Sequence, residues 1–330
     1  EAQVLNAVII EPSNKLSPSL IKLFFETQFL KKQILGDVKG SVQGVINTSH
    51  IANLKIPISP KINYSQISKL LDSISKKIEL NNRINAELEA MAKLVYEYWF
   101  VQFDFPFDGA QGRPDVSLSG IEGSRVEGYK SSGGKMVWNE ELKREIPEGW
   151  EVHPVDYWIQ KDKNGDWGKE EIEGNYDLRV SCIRGADING LNGNGELKSP
   201  VRYILEKNSH KILEPGDMVI EISGGSPTQS TGRLGYIINE TLERFNEPLI
   251  CSNFCKAITL KDEGNLFNFI YEWKRLYDAG IFFGYEGKTS GIKNFLFESF
   301  VSKHKIVVPP QELTEKFYEK VLPIHSKIQK

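Results

Sequence analysis

Residues 64–100 read YSQISKLLDSISKKIELNNRINAELEAMAKLVYEYWF, and how that stretch folds decides the architecture. Neither Pro nor Gly interrupts it. Apolar residues recur at Ile67, Leu71, Ile74, Ile78, Leu88, Ala92 and Val95, in alternating steps of four and three, and Asn81 and Asn85 occupy the seam between Ile78 and Leu88. The spacing predicts a helix of about 35 residues, roughly 50 Å long at 1.5 Å per residue. Ordinary globular helices average about 10–14 residues. A heptad seam needs a partner helix, and a polar Asn within it costs stability while fixing register. Ile67, Leu71, Ile74, Ile78, Asn81, Asn85, Leu88 and Val95 are therefore expected to pack against another helix or subunit. Leu70, Ile84, Met91 and Tyr98 form a second apolar face. The plainer alternative is a long core helix.

The sequence around this helix repeats. A slide of 250 positions lays Lys55-Ile56-Pro57-Ile58-Ser59-Pro60 on Lys305-Ile306-Val307-Val308-Pro309-Pro310, and Ile74, Lys77 and Ile78 on Ile324, Lys327 and Ile328. With a three-residue indel, Gly40, Gly44 and Asn47 match Gly287, Gly291 and Asn294. Repeats this long are duplicated domains rather than solenoid units. Residues 4–10 read as a strand and residues 18–35 as a helix, with Ser17 as N-cap and Pro18 at the first helical position. They parallel a strand at 253–260 and a helix at 266–283 in the second copy. The chain is thus expected to begin inside a domain and to end inside a second helix, which starts near Gln311 and which Pro323 should kink or divide.

From Asp108 to Lys135 the chain is rich in Gly, Ser, Asp and Arg without hydrophobic period, which reads as an exposed linker. Order resumes at Met136-Val137-Trp138. The segment beyond reads as a mixed domain with strands at 178–183, 217–222, 235–238 and 254–260.

Composition sets bounds rather than an answer. A length of 330 residues exceeds what one core usually fills. A net charge of −3 offers no general attraction to nucleic acid, so a DNA partner would need basic groups gathered locally, in a concavity of residues 147–310. No run approaches the roughly 18 apolar residues of a membrane span, and no signal peptide is visible. Cys182, Cys251 and Cys255 make no disulfide framework, which fits a reducing cytoplasm. The Gly-rich segment 224–233 lacks the Lys-Ser/Thr ending of a phosphate-cradling loop. Cys251 and Cys255 have no second ligand pair, and the five histidines are scattered. No catalytic or metal-ligating set is expected.

Recognition is better served. Ser226, Thr228, Gln229, Ser230 and Arg233 lie in one loop with three glycines, where short polar groups suit phosphates and Gln or Arg can read purine edges. Tyr285, Lys288 and Lys293 lie in a second such segment, and Lys161 and Lys163 in a third, which continues through Gly165-Asp166-Trp167-Gly168. Arg184, Arg202, Lys207 and Lys211 are weaker candidates.

The succession Gly44-Val45-Ile46-Asn47, Lys55-Ile56-Pro57, Ile78-Glu79-Leu80-Asn81-Asn82-Arg83 and Tyr98-Trp99-Phe100-Val101-Gln102-Phe103-Asp104-Phe105-Pro106 resembles the specificity subunits of type I restriction–modification systems. So do Pro147-Glu148-Gly149-Trp150, Gly165-Asp166-Trp167-Gly168 and the segment 224–233. The Gly/Ser stretch from Gly109 to Gly128 departs from the compact pattern of that family. The resemblance implies an α+β fold, in which mixed, strand-rich target-recognition domains join a long coiled-coil-type spacer helix. Residues 1–60 would end a first recognition domain, 61–103 form its spacer helix and 104–146 a linker. Residues 147–310 would be the second recognition domain and 311–330 the start of the second spacer, the two helices pairing antiparallel. It further implies double-stranded DNA, modification (methyltransferase) subunits and restriction (motor–nuclease) subunits as partners. The chain would hold no cofactor, because S-adenosylmethionine, Mg2+ and ATP would sit on those partners. Two other readings are a coiled-coil interaction adaptor and a fragment of a fused methyltransferase–nuclease, and the second lacks its catalytic motifs.

Overall fold

A computed structural model describes residues 9–11, 16–37, 48–108, 113–114, 128–224, 228–289 and 292–330. The chain divides into two compact units, Glu1–Ile84 and Asn85–Lys330. The class is α+β.

The first unit contains α1 (Pro18–Glu26), α2 (Gln28–Asp37) and α3 (Thr48–Ala52), and α4 (Tyr64–Tyr96) begins in it. Ser17 caps α1 as expected, its hydroxyl accepting the Leu20 N–H at 3.3 Å. The single helix expected over 18–35 is two, because Thr27 turns extended and its hydroxyl donates to the Phe24 carbonyl at 2.6 Å. Leu20 and Leu30 are buried. Gln33 grips the backbone of Lys55, accepting its N–H at 3.0 Å and donating to its carbonyl at 2.9 Å. The strand expected over 4–10 falls mainly outside the described residues, as do Gly40, Gly44, Asn47 and Gly291 of the repeat.

The long helix forms where the heptad pattern places it. Asn63 supports its start by accepting the Gln66 N–H, and the α-helix widens into a π-helical turn at Glu97–Val101.

The second unit contains β1 (Phe107–Asp108), β2 (Arg113–Pro114), β3 (Met136–Asn139), β4 (Arg144–Pro147), β5 (Glu151–Pro154), β6 (Ile159–Asn164), β7 (Tyr176–Ile183), α5 (Ile188–Leu191), β8 (Val201–Leu205), β9 (Asp217–Glu221), β10 (Ser223–Gly224) and β11 (Leu234–Tyr236). There follow α6 (Asn239–Leu242), β12 (Leu249–Cys251), β13 (Cys255–Leu260), α7 (Leu266–Asp278), β14 (Glu286–Thr289), β15 (Ile292–Phe295), α8 (Phe297–Lys303), β16 (Lys305–Val308) and α9 (Gln311–Gln329). Its central sheet runs β11-β9-β13-β6, antiparallel throughout. β9 is buried along its whole length. Alternation sends Met218 and Ile220 into one apolar cluster and Val219 into another. A second sheet runs β12-β7-β8 and a third β10-β15-β14.

Residues 96–105 are bound into the largest core. Phe317 of α9 packs edge-on against Phe100 at 5.2 Å and tilted against Trp99 and Tyr96, each at 6.0 Å. Trp150 receives Phe103 edge-on at 5.4 Å and stacks on Phe105 at 5.3 Å. Farther along, the Asn85 amide donates to the Ile328 carbonyl at 3.4 Å, so the two helical stretches run antiparallel. Pro323 does not divide α9, which continues through it. The segment read as an exposed linker is anchored at both ends: Asp104 and Phe105 are buried, Tyr129 stacks on Phe105 at 4.8 Å, and β3 pairs with β4. The strand Lys305–Val308 forms against β5. Its counterpart in the repeat, residues 55–58, has no strand and is held by Gln33 instead.

His325 shows how closely α9 is packed. Its Nδ1 lies 2.6 Å from the Tyr236 hydroxyl and its Nε2 2.9 Å from that of Tyr271, and its ring stacks on Phe267 at 4.5 Å. Burial holds its pKa down at about 4, against an ordinary value of 6.5. The fold therefore favours neutral imidazole. That contribution is complete above the unfolded-state pKa and is lost as the pH falls from there toward 4. Urea unfolding should lose about 3 kcal/mol across this window from this group alone. His325→Gln should flatten that acid limb, and an equal slope in both proteins would contradict the assignment.

Candidate nucleic-acid interface

The three segments expected to contact a ligand are far apart in sequence, yet each contributes to one cleft of about 430 Å³. Trp167, Ser223 and Ile292 line it, together with Arg184, Glu221 and Phe254. The backbone dictates this convergence. Ser223 pairs with Asn294 across β10 and β15, and its hydroxyl donates to the Asn294 side-chain oxygen at 2.6 Å. The Ile222 N–H donates to the Phe254 carbonyl at 2.9 Å. The turn carrying Trp167 docks through the Asp166 N–H, 2.8 Å from the Cys251 carbonyl. Any side chain at Gly165 would place its Cβ 1.9 Å from the Ser252 carbonyl oxygen, so glycine is required there.

The cleft's rim is aromatic and apolar. Trp167 is 37% exposed, Phe254 54% and Ile292 49%. The Arg202 guanidinium lies 3.9 Å from the Trp167 ring and holds it in place. Arg184, set aside at first as a surface charge, stands on the cleft wall, its fork engaged by Asp187 at 2.8 and 3.0 Å. Phe254 was not foreseen, although an aromatic at the turn between two apolar strands was its signal.

Glu221 on its wall is one half of an ion pair. Arg233 donates to both carboxylate oxygens of Glu221, Nε at 2.9 Å and Nη2 at 2.7 Å, and Glu221 is almost fully buried. This bidentate bond, with the Coulombic attraction, holds the Arg233 pKa above its ordinary value. Cβ atoms at Gly185 and Gly224 would lie 2.6 and 2.8 Å from Glu221 Oε1, so both glycines make room for that carboxylate.

The remaining sequence candidates are dispersed. Thr228 and Gln229 are exposed on the loop. Ser230 is buried, its hydroxyl donating to the Thr231 carbonyl. Ser226 and the Lys288 side chain lie outside the described residues. Lys293 pairs with Glu286 at 3.0 Å, and Glu286 also accepts the Thr231 N–H, so the two tie the loop's end to β14 and β15. Tyr285 packs edge-on against Phe300 at 5.1 Å. Lys161 is half-exposed beside Glu214. Lys163 is buried, donating to Asp217 at 2.6 Å and to the Ile212 carbonyl at 2.9 Å. The basic concavity expected here is not what the described residues build. Arg184 and Glu221 are the charged members of the wall, and the loop's cations turn inward to acids.

Of the seam residues, Asn85, Leu88 and Val95 are half-buried, and Ile67 and Leu71 are partly covered. Ile74 and Ile78 stand 48% and 56% exposed, and Asn81 is exposed as well.

Among the described residues no group of three or more His, Cys, Asp or Glu could hold a metal ion, and no helix is long and apolar enough to cross a membrane. Burial pushes the Cys182 and Cys255 thiols up to about 12, which makes them poor nucleophiles.

Comparison with known proteins finds likenesses to one family. Residues 3–90 match the type I restriction modification DNA specificity domain. The chain is similar to type I specificity subunits along different lengths. It is 21% identical over 330 residues to the type I restriction enzyme MjaIX specificity subunit of Methanocaldococcus jannaschii, covering 97% of this chain and 65% of that protein. It is 28% identical over 102 residues to the HindI specificity subunit of Haemophilus influenzae, covering 29% of this chain and 22% of that one. A solved type I restriction–modification S subunit from M. genitalium aligns with a TM-score of 0.45 and 16% identity, over 95% of this chain and 68% of that one. The chain thus spans less than two thirds of the length of these two curated relatives.

Because Glu221 is buried under the cleft, Arg233→Ala should act on stability before binding. Removing one partner of a buried ion pair costs about 3–5 kcal/mol, since the remaining charge is left uncompensated. Chemical denaturation should show that loss, much reduced in the Glu221→Gln/Arg233→Met double variant. A fully stable Arg233→Ala protein would refute the buried-pair role.

Proposed function

We propose that this chain recognises DNA sequence within a type I restriction–modification complex and carries no chemistry of its own. The observation that carries the reading is the convergence of three separate segments on one cleft with an exposed aromatic rim, in a chain matched by a type I DNA specificity domain. The residues assigned to base reading are Thr228 and Gln229, exposed residues of the loop that begins at the cleft's Ser223, with Trp167, Phe254 and Ile292 giving apolar contact to base edges or thymine methyls. Lys161 and the Lys288 segment are assigned to the phosphate backbone.

Each recognition domain would read one half of a bipartite site. The helix would set the gap between halves, as half-site spacing generally follows protein geometry. Modification and motor–nuclease subunits would assemble on this scaffold, with Ile74 and Ile78 among the apolar groups open to a partner. Base flipping and methyl transfer would belong to those partners. The family match disfavours a coiled-coil adaptor without DNA specificity.

Two measurements test the reading. In the reconstituted methyltransferase complex, Gln229→Ala should weaken binding to the cognate site by about 1–3 kcal/mol and leave non-specific affinity unchanged. An unaltered cognate affinity would remove the loop from the interface. Mapping methylated adenines in host DNA with and without the intact gene should reveal a bipartite motif that depends on this chain. Methylation independent of the gene would overturn the proposal.

A further inference from the structure

A cavity of about 290 Å³ opens where β4, α7 and β16 meet the end of the long helix, away from the cleft's lining residues. Tyr96, Phe100 and Trp150 form an aromatic wall, and Arg144, Asn268 and Arg275 also line it. Its charges are not balanced. Glu272, the carboxylate on its wall, is saturated by Arg275 at 2.7 and 2.8 Å and by the Tyr96 hydroxyl. Lys305 is paired with Glu141. Arg144 donates to the Val101 carbonyl at 2.8 Å and stacks over the Phe103 ring, but among the described residues no carboxylate pairs with it. Burial disfavours its charge and the nearby Arg275 guanidinium adds to that, while Glu272 offsets it only in part. On the wall of the same cavity, the Asn268 side-chain Nδ2, in a residue only 3% exposed, has no hydrogen-bond partner among the described residues.

A buried amide donor without an acceptor and a half-buried guanidinium whose fork no carboxylate engages each cost free energy, and one ligand group relieves both. That group is an anion with several acceptor oxygens, which matches the planar guanidinium fork. The π-helical turn Glu97–Val101 supplies part of the wall, and such turns are frequent at functional sites. We propose that this cavity binds a phosphate-type oxyanion, held by Arg144 and Asn268, either as the free ion or as the phosphate of a small molecule. The inference stands apart from the DNA reading, because its residues and its test involve no DNA.

Isothermal titration of the full chain with inorganic phosphate, at ionic strength fixed by sodium chloride, tests it, with adenosine 5′-monophosphate as a parallel probe. Saturable binding is expected, weakened about tenfold or more by Arg144→Gln and by Asn268→Leu, each with the wild-type circular dichroism spectrum. Should Arg144→Gln fail to fold, Asn268→Leu decides alone. Much tighter binding of the nucleotide, sensitive to the same substitutions, would identify a phosphorylated small molecule. Equal binding would identify the free ion, and both uphold the site. No saturable binding of either probe, or equal binding by wild type and the folded variants, overturns it.

Discussion

The aromatic junction at the end of the long helix is the contact on which the second unit depends. A helix in water ends wherever its hydrogen bonds stop being worth their entropy, and one longer than a core needs outside packing to persist. Here Tyr96, Trp99 and Phe100 close on Phe317, and Phe103 and Phe105 close on Trp150. Large aromatic surfaces meeting at edge-on and offset angles bring both buried area and orientation. The junction therefore fixes where the helix stops and where the chain turns next. It also explains why Phe103 is held with φ of 64° in the left-handed region, which packing on both sides over-determines.

Around the cleft the dominant physics is satisfaction rather than attraction. Arg233, Lys293, Lys256 and Lys163 each lie against a carboxylate in buried or half-buried positions. In low dielectric such pairs hold shape well, because breaking one leaves a bare charge. A surface assembled this way offers a rigid, shaped rim more than a strong field. That accords with a chain whose net charge is −3.

The same inward pairing marks where sequence reasoning failed. Lys163, Ser230 and Arg233 have the right chemistry for nucleic acid, and nothing in their neighbours' identities says that they face inward. Lys163 points to Asp217, 54 positions away, and Arg233 to Glu221 on an adjacent strand, contacts that exist only once the central sheet has formed. Phe254 was missed and Arg184 ranked low for the opposite reason, since a lone aromatic and a lone arginine carry no periodicity. The helix break at Thr27 and the unbroken α9 through Pro323 show local chemistry and tertiary packing each overruling a simple pattern.

By itself the sequence determined the long helix, the strands around 178–183, 217–222 and 254–260, the α+β class and the family likeness. Each is written in local periodicity, in turn residues or in motifs that short-range sterics must obey. Only the tertiary structure decided which polar residues reach a surface and which neutralise one another inside. It also decided that three distant segments share one cleft, and that Arg144 and Asn268 face a common cavity. Those outcomes depend on pairings across long loops, where a side chain's environment is set by residues whose proximity no local rule encodes.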